Sequence, residues 1–213
     1  MTSVRPRSAS AAISHKGQQT RQSILDAALR LVAQVGLEGL SIGALAELAG
    51  MSKSGVFAHF GSREELQIAV IEQYRQGFAQ AVFQPALQQP HGLPRLRRMV
   101  QLWMQHTVSG VDSGVFISGA VDFDDRPGPV CQALQHSVRR WMDALQRAVA
   151  QSQAAGHLHP ETPPAQLVFE IHALVLALHY EVRFLRNRAA LDYAQRGFER
   201  LIEAHAPARR QPP

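Results

Sequence analysis

The chain has 213 residues, of which 46% are hydrophobic, so it can bury a sizeable core in one large domain or two small ones. Its single cysteine, Cys131, excludes an intrachain disulfide and a cysteine-rich zinc site, and its longest apolar run, 168–180, is too short and too polar to cross a membrane. Residues 1–63 hold seven Lys and Arg against three Asp and Glu, a difference of +4 out of a total net charge of +5, which favours a polyanionic partner.

The N-terminal segment precedes any periodic pattern. Residues 1–15 are rich in Ser, Ala and Arg, and we interpret them as a flexible basic arm, although Arg5 and Arg7 equally suit a merely solvated tail. A first helix is predicted from Lys16 or Thr20 to about Gly36, because apolar residues then recur at helical spacing. These apolar residues are Ile24, Ala28, Leu31 and Val35.

Residues 41–66 have the pattern of a helix-turn-helix. Small and apolar residues occupy the positions where two short crossed helices pack together: Leu45, Ala46, Ala49, Met51 and Val56. Gly50 lies at the turn, where a positive φ favours glycine, and Ser52 caps the second helix. Because this unit is a DNA-reading device, the segment predicts DNA binding.

Further helices follow through the rest of the chain. Ser62 and Glu65 form a capping box, which starts a long helix that is predicted to reach about Val82 and to end before Pro85. Breaks rich in Pro and Gly then separate five more predicted helices. Their approximate ranges are 93–108, 115–121, 129–154, a start at 160–164 continuing to 186, and 189–205.

No stretch alternates with the period of a β-strand, so the predicted fold class is all-α. We divide the chain into the arm at 1–15, a three-helix DNA-binding domain with the helix-turn-helix at 16–62, a larger helical domain at 63–206, and a disordered tail at 207–213. The helices number about nine.

The second helix of the helix-turn-helix, Lys53 to Phe60, is the predicted recognition helix. Lys53 and Ser54 can reach phosphates or base edges, whereas Gly55 reads nothing and permits close approach of the backbone. Ser41 is either an ordinary N-cap or also a phosphate ligand, and His59 either contacts phosphate or packs. The full predicted DNA-contacting set is Ser41, Ser52, Lys53, Ser54, Gly55, Phe57, His59 and Arg63.

Residues 18–66 resemble the DNA-binding domain of the TetR family of bacterial transcriptional regulators. The resemblance rests on ILDAALRLVAQVGLEGLSI, on ALAELAGMSKSGVFAHF and on the following GSREEL; more weakly, VDFDDRPGPV resembles part of one subgroup's C-terminal domain. The resemblance implies a nine-helix subunit, a homodimer, and a C-terminal domain that binds a ligand. Many members have Tyr where Phe57 stands and a larger residue where Gly55 stands, which leaves the operator sequence open.

The C-terminal half supplies candidates for a ligand cavity, although each taken singly is more often plain core. Large side chains on the predicted helices, with histidines for polar contacts, favour a small and largely apolar or aromatic effector. The predicted ligand-binding residues are Trp103, Phe116, Phe123, Trp141, Phe169 and His172.

The last two long helices are predicted to form the dimer interface, as a four-helix bundle with the same helices of a partner subunit. One apolar stripe on each helix carries this prediction: Leu167, Ile171, Leu174, Leu178 and Val182 on the first, Phe198 and Leu201 on the second.

We therefore expect a cytoplasmic, homodimeric repressor that binds a palindromic double-stranded DNA operator and is released by a small effector. No cofactor, metal site, membrane contact or catalytic residue is expected, since neither a phosphate loop nor a nucleophile elbow is present. Two alternatives remain: a constitutive or architectural DNA-binding dimer, and a small helical enzyme that uses the C-terminal cavity.

Overall fold

A computed structural model describes residues 8–109 and 114–207 of the protein, and within those residues the fold is all-helical, as predicted. The DNA-binding part comprises α1 (Ser8–Gly39), α2 (Ile42–Leu48) and α3 (Lys53–Phe60). The larger part comprises α4 (Arg63–Phe78), a π-helical segment (Ala79–Phe83), α5 (Gln84–Ala86), α6 (Leu93–Val108), α7 (Val115–Phe123), α8 (Pro129–Ala154), α9 (Pro164–Arg183) and α10 (Ala190–Ala204). Because the π segment and α5 continue α4, nine separate helices stand in the described residues.

The first helix differs from its prediction at both ends. It begins at Ser8 rather than at Lys16 or Thr20, so it includes residues 8–15 of the predicted arm; residues 1–7 lie outside the described part. The sequence SASAA at its start is rich in alanine, the best helix former, which allows the helix to extend upstream without an apolar pattern. Near its other end Gly36 has φ 74° and ψ 169°, so the chain kinks there before a last turn to Gly39.

The fourth helix also runs further than predicted. We expected Pro85 to stop it, but Pro85 lies in the first turn of α5, where its missing N–H is not needed. The predicted bounds of α6 and α8 are confirmed at both ends, while α9 ends at Arg183 instead of 186. The predicted disordered tail lies almost entirely beyond the described residues.

A single apolar core connects the two parts of the subunit. Helices α6, α8 and α9 pack against one another, α10 packs on α9 and α6, and α4 packs between α8 and α1. Helix α7 lies between α1 and α8. The helix-turn-helix is therefore held through α1, which contacts both α4 and α7.

Candidate functional site

The helix-turn-helix has the geometry that its sequence predicts. Gly50 at the turn has φ 63°, and the Met51 N–H donates to the Ala46 carbonyl at 2.9 Å. Leu45 and Val56 are fully buried between the helices. The Ser52 hydroxyl accepts from the Gly55 N–H at 3.1 Å, so Ser52 caps α3 as predicted. These contacts hold α3 rigidly on the surface.

The outer face of α3 is open to solvent. Lys53 and Ser54 are exposed, Phe57 keeps 53% of its surface, and His59 is half-buried beside Phe60. Ser54 also shares a 3.1 Å hydrogen bond with Ser52. The predicted side chains of this helix therefore converge on one exposed surface, which we call the recognition face.

Lys53 crosses from α3 to the start of α2. A Cβ built on Gly43 would lie 3.3 Å from its Cε and 3.7 Å from its Nζ, so the glycine leaves room for the lysine stem. Ser41 caps α2 by accepting from the Ala44 N–H at 3.1 Å. The ammonium group, the Ser41 hydroxyl and the first turn of α2 thus lie in one region.

The sequence analysis explains Gly55 by close approach of the backbone to DNA, and the structure adds a second reason. A Cβ at this position would lie 3.2 Å from the Ser52 Oγ and 3.5 Å from the Met51 Cε. The missing side chain therefore relieves crowding at the N-cap of α3, in addition to any room it leaves for DNA.

Arg63 is bonded to the end of α1. Its Nε donates to the Leu40 carbonyl at 2.8 Å, its Nη2 donates to the Glu38 carbonyl, and it pairs with the Glu38 carboxylate at 3.4 Å. The DNA contact predicted for Arg63 stays a prediction: its guanidinium is engaged at the end of α1, while 47% of the side chain remains exposed. Sequence position alone cannot reveal these backbone acceptors.

The larger domain encloses a cavity of about 350 Å³ with an aromatic wall. The rings contact one another edge to face: Tyr74 and Phe116 have centroids 4.6 Å apart, and the centroids of Phe78 and Trp141 are 4.9 Å apart. Trp103 adds a further edge contact to Trp141 at 5.5 Å. Such arrangements suit the ring quadrupole, and they form an apolar wall.

Four of the six predicted ligand-binding residues line this cavity: Trp103, Phe116, Trp141 and His172. Phe123, the last residue of α7, does not line the cavity, because its ring is buried towards Leu134 and Cys131. Phe169 does not either, because it lies on the outer face of α9 with 69% of its surface exposed. Helical spacing identified these rings but could not orient α7 and α9.

The sequence analysis missed most of the α4 and α7 contributions to the cavity. Tyr74 and Phe78 come from α4, four residues apart and therefore on one face, which is a signal that the sequence contained. The other missed lining residues are Thr107, Ile117, Ala120, Val121, Asp124, Val138, Met142 and Leu176.

Few polar groups line the cavity. The His172 ring stacks on Trp103 at 5.8 Å, and burial lowers the pKa of its imidazole, which favours the neutral form. The Trp141 Nε1 is buried and has no hydrogen-bond partner among the described residues. Asp124, the only carboxylate among the lining residues, is exposed to solvent.

The predicted dimer stripe faces inward. Leu167, Ile171 and Leu178 are at most 2% exposed and Phe198 is 4% exposed, so these four belong to the core of the subunit. Leu174, Val182 and Leu201 are half-buried. The exposed apolar surface of α9 is instead formed by Phe169, Ala173, Leu176, Tyr180 and Phe184, which we call the outer α9 stripe.

These features define a class of protein: an all-helical regulator in which an N-terminal helix-turn-helix is joined to a larger helical domain. Residues 24–70 match the family model for bacterial regulatory proteins of the tetR family, and residues 92–198 match the model for a tetracyclin repressor-like C-terminal domain. The chain belongs to the TetR family of DNA-binding transcriptional regulators, which are not enzymes.

Individual relatives agree with this assignment. The transcriptional repressor AcnR of Corynebacterium efficiens is 35% identical over 78 residues, which cover 37% of this chain and 42% of AcnR. The chain spans less than half the length of the curated relatives it matches.

Two solved structures share the whole fold. A TetR-family regulator from Cytophaga hutchinsonii has a TM-score of 0.77 at 21% identity, covering 90% of this chain and 96% of that one. AibR in complex with isovaleryl coenzyme A and operator DNA has a TM-score of 0.69 at 20% identity, covering 88% of this chain and 98% of that one.

The position of Arg63 leads to a stability prediction. Arg63→Ala should lower the free energy of unfolding by about 1 kcal/mol, because carbonyl acceptors at the end of α1 lose their donor. Urea denaturation measures this. Arg98→Ala, which removes a half-buried arginine bonded only to Gln101 among the described residues, should stay within about 0.5 kcal/mol of wild type. Equal stability of the two variants would contradict the structural role of Arg63.

Proposed function

We propose that the protein is a homodimeric repressor whose recognition faces bind a palindromic operator and whose aromatic cavity binds a small, largely apolar effector that releases it from DNA. The observation that carries the proposal is the position of α7. This helix lines the cavity with one face and packs on α1, the first helix of the DNA-binding part, with the other.

The DNA contacts are proposed from exposure and charge. Lys53 and Ser54 supply hydrogen-bond donors at the recognition face, and Phe57 supplies an apolar contact. Ser41 and Lys53 together bind a phosphate beside the first turn of α2. Ser52 contributes through the N-cap of α3 and Gly55 through close backbone approach. His59, which is half-buried, is proposed as a DNA contact at the edge of the recognition face.

Replacing the two donors tests the recognition face. A Lys53→Ala, Ser54→Ala double variant should lose about 100-fold in operator affinity, at roughly 1–3 kcal/mol for each lost specific contact. Its free energy of unfolding should change little, because both side chains are exposed. Operators obtained by selection from random DNA, with fluorescence anisotropy at several salt concentrations, provide the measurement. Unchanged affinity and an unchanged salt slope in the double variant would place the DNA elsewhere.

The outer α9 stripe supports the proposed dimer. Phe169, Tyr180 and Phe184 keep 54–70% of their surfaces exposed, and Tyr193 on the neighbouring α10 keeps 54%. A contiguous apolar surface of this kind is typical of an interface between subunits. Helix α9 extends beyond the apolar run 168–180 that the sequence analysis judged too short and too polar for a membrane span, and over Pro164–Arg183 it is long and apolar enough by composition. Core helices pass the same test, and one face of α9 packs on α6, α8 and α10.

Glutamate substitutions distinguish the two faces of α9. Phe169→Glu or Tyr180→Glu should give a folded monomer with operator affinity reduced at least about 100-fold, because one half-site must then bind alone. Leu178→Glu should instead unfold the subunit, since it buries an unpaired charge. Light scattering and circular dichroism measure both effects. Leu87→Glu, outside the stripe, should stay dimeric; dimers of Tyr180→Glu would refute the interface.

The route from the cavity to DNA is proposed to run through α7 and Glu38. Ala120 and Val121 line the cavity, whereas Gly119 packs on Leu37 of α1. Beyond α7, Arg126 pairs with Glu38 at 2.8 Å, and the same carboxylate pairs with Arg63 at the start of α4. An effector that displaces α7 therefore shifts groups that position both α1 and α4. A shift of this kind changes the spacing of the recognition helices, which must lie about 34–36 Å apart to enter successive major grooves.

Effector control is tested with compounds that raise the melting temperature in a thermal-shift screen of small aromatic and apolar molecules. Such compounds should weaken operator binding of wild type, and Ala120→Trp, which fills the cavity, should abolish the effect. The effect of a compound is measured as the operator affinity without it divided by the operator affinity with it. Glu38→Gln should reduce that ratio by about fivefold. Glu199→Gln, which removes a similar exposed ion pair to Arg97, should leave that ratio unchanged. Compounds that bind in the cavity but never alter operator affinity would favour the constitutive dimer.

We propose a cytoplasmic location, because a bacterial repressor must reach the chromosome, which lies in the cytoplasm.

A further inference from the structure

A second, smaller depression lies on the other side of the aromatic wall. Its volume is about 130 Å³, and three arginines line it: Arg75 from α4, and Arg140 and Arg147 two turns apart on α8. No aspartate or glutamate is among its lining residues. We call this depression the arginine cleft.

The charges of the arginine cleft are only partly neutralised. Glu72 binds Arg75, with the Arg75 Nε donating to its carboxylate at 2.7 Å, and this hydrogen bond is the main reason why the pKa of Glu72 is lowered. Arg140 lies near enough to Glu72 to lower that pKa further. Arg147 forms no ion pair with any other described residue. Glu72 thus faces two of the three guanidinium groups, those of Arg75 and Arg140.

The arginine cleft and the cavity share their dividing wall. Phe78, Phe116 and Trp141 line both spaces. The wall is one side chain thick, and the buried Trp141 Nε1 within it has no hydrogen-bond partner among the described residues. A rotation of one ring would therefore join an apolar space to a cationic one.

We propose that the effector is an amphiphilic anion, with an aromatic or aliphatic body in the cavity and a carboxylate, sulfonate or phosphate group in the arginine cleft. The inference rests on the proposed effector function of the cavity and adds the charge of its ligand. Arg140 and Arg147 hold the anionic group, and the Trp141 indole N–H donates to an acceptor oxygen near the junction.

The arrangement of charges argues against a cationic effector. A cation in the cavity would find one carboxylate among the lining residues, Asp124, and that group is exposed to solvent. It would also lie one ring away from three guanidinium groups. An anion meets favourable charge at that end and apolar surface at the other.

A matched pair of fluorescent probes tests the charge assignment. Anilinonaphthalene sulfonate and N-phenylnaphthylamine share the same aromatic body, and only the first carries an anion. An Arg140→Gln, Arg147→Gln double variant of the full chain should bind the sulfonate at least about fivefold more weakly than wild type, as expected for removing two partly solvated charge contacts. Its affinity for the neutral probe should stay within about twofold of wild type.

Three controls make the result specific. Arg139→Gln, on α8 but outside the arginine cleft, should leave both affinities unchanged. Ala120→Trp should abolish binding of both probes. Circular dichroism and operator affinity of the double variant should match wild type, which shows that it folds.

Each remaining outcome overturns a defined claim. Equal loss of both probes in the double variant, or no loss of the sulfonate, overturns the anionic effector and leaves effector control of the cavity intact. If the Ala120→Trp variant still binds the sulfonate, the anionic effector is overturned too, because the probe then binds on the surface and not in the cavity. If neither probe binds wild type, both the charge assignment and effector binding by this cavity fail.

Discussion

The kink in α1 and the α4 side chains that bond it form the joint on which the two parts of the subunit depend. Gly36 turns the chain out of the helix, and nearby carbonyl groups then need donors from elsewhere. The amide of Gln67, only 4% exposed, donates to the Leu37 carbonyl at 2.8 Å, and Arg63 donates to Glu38 and Leu40. Because hydrogen bonds are directional, they define the angle between α1 and α4 more narrowly than apolar packing alone.

Helix α7 gives this joint its connection to the cavity. It is short, it has cavity residues on one face, and its other face meets α1 where the kink occurs. Asp122 lies beside Gly36, where an added Cβ would come within 3.2 Å of its carboxylate. Residues that line the cavity and residues that position the helix-turn-helix are thus separated by the width of one helix.

Local signals in the sequence were reliable where neighbouring residues alone decide the conformation. Ser41, Ser52 and Ser62 all accept a backbone N–H three residues on, as their cap positions predict, and Gly50 has the positive φ expected of its turn. Predictions failed where orientation matters. Helix α9 is apolar on both faces, so its periodicity could not show that Leu178 faces the core and Phe169 the solvent. The hydrogen bonds of Arg63 had no signal in the sequence because its acceptors are backbone carbonyls 23 and 25 residues away.

The sequence by itself determined the helical fold, the helix-turn-helix and the membership of a DNA-binding family, because caps, turns and apolar spacing act over a few residues. Only the tertiary structure decided which rings enclose the cavity, which apolar face of α9 stays exposed, and that three arginines from α4 and α8 lie together behind the aromatic wall. Those relations depend on how each helix is rotated about its axis against its neighbours. That rotation is set by packing over the whole core and has no local signature in the chain.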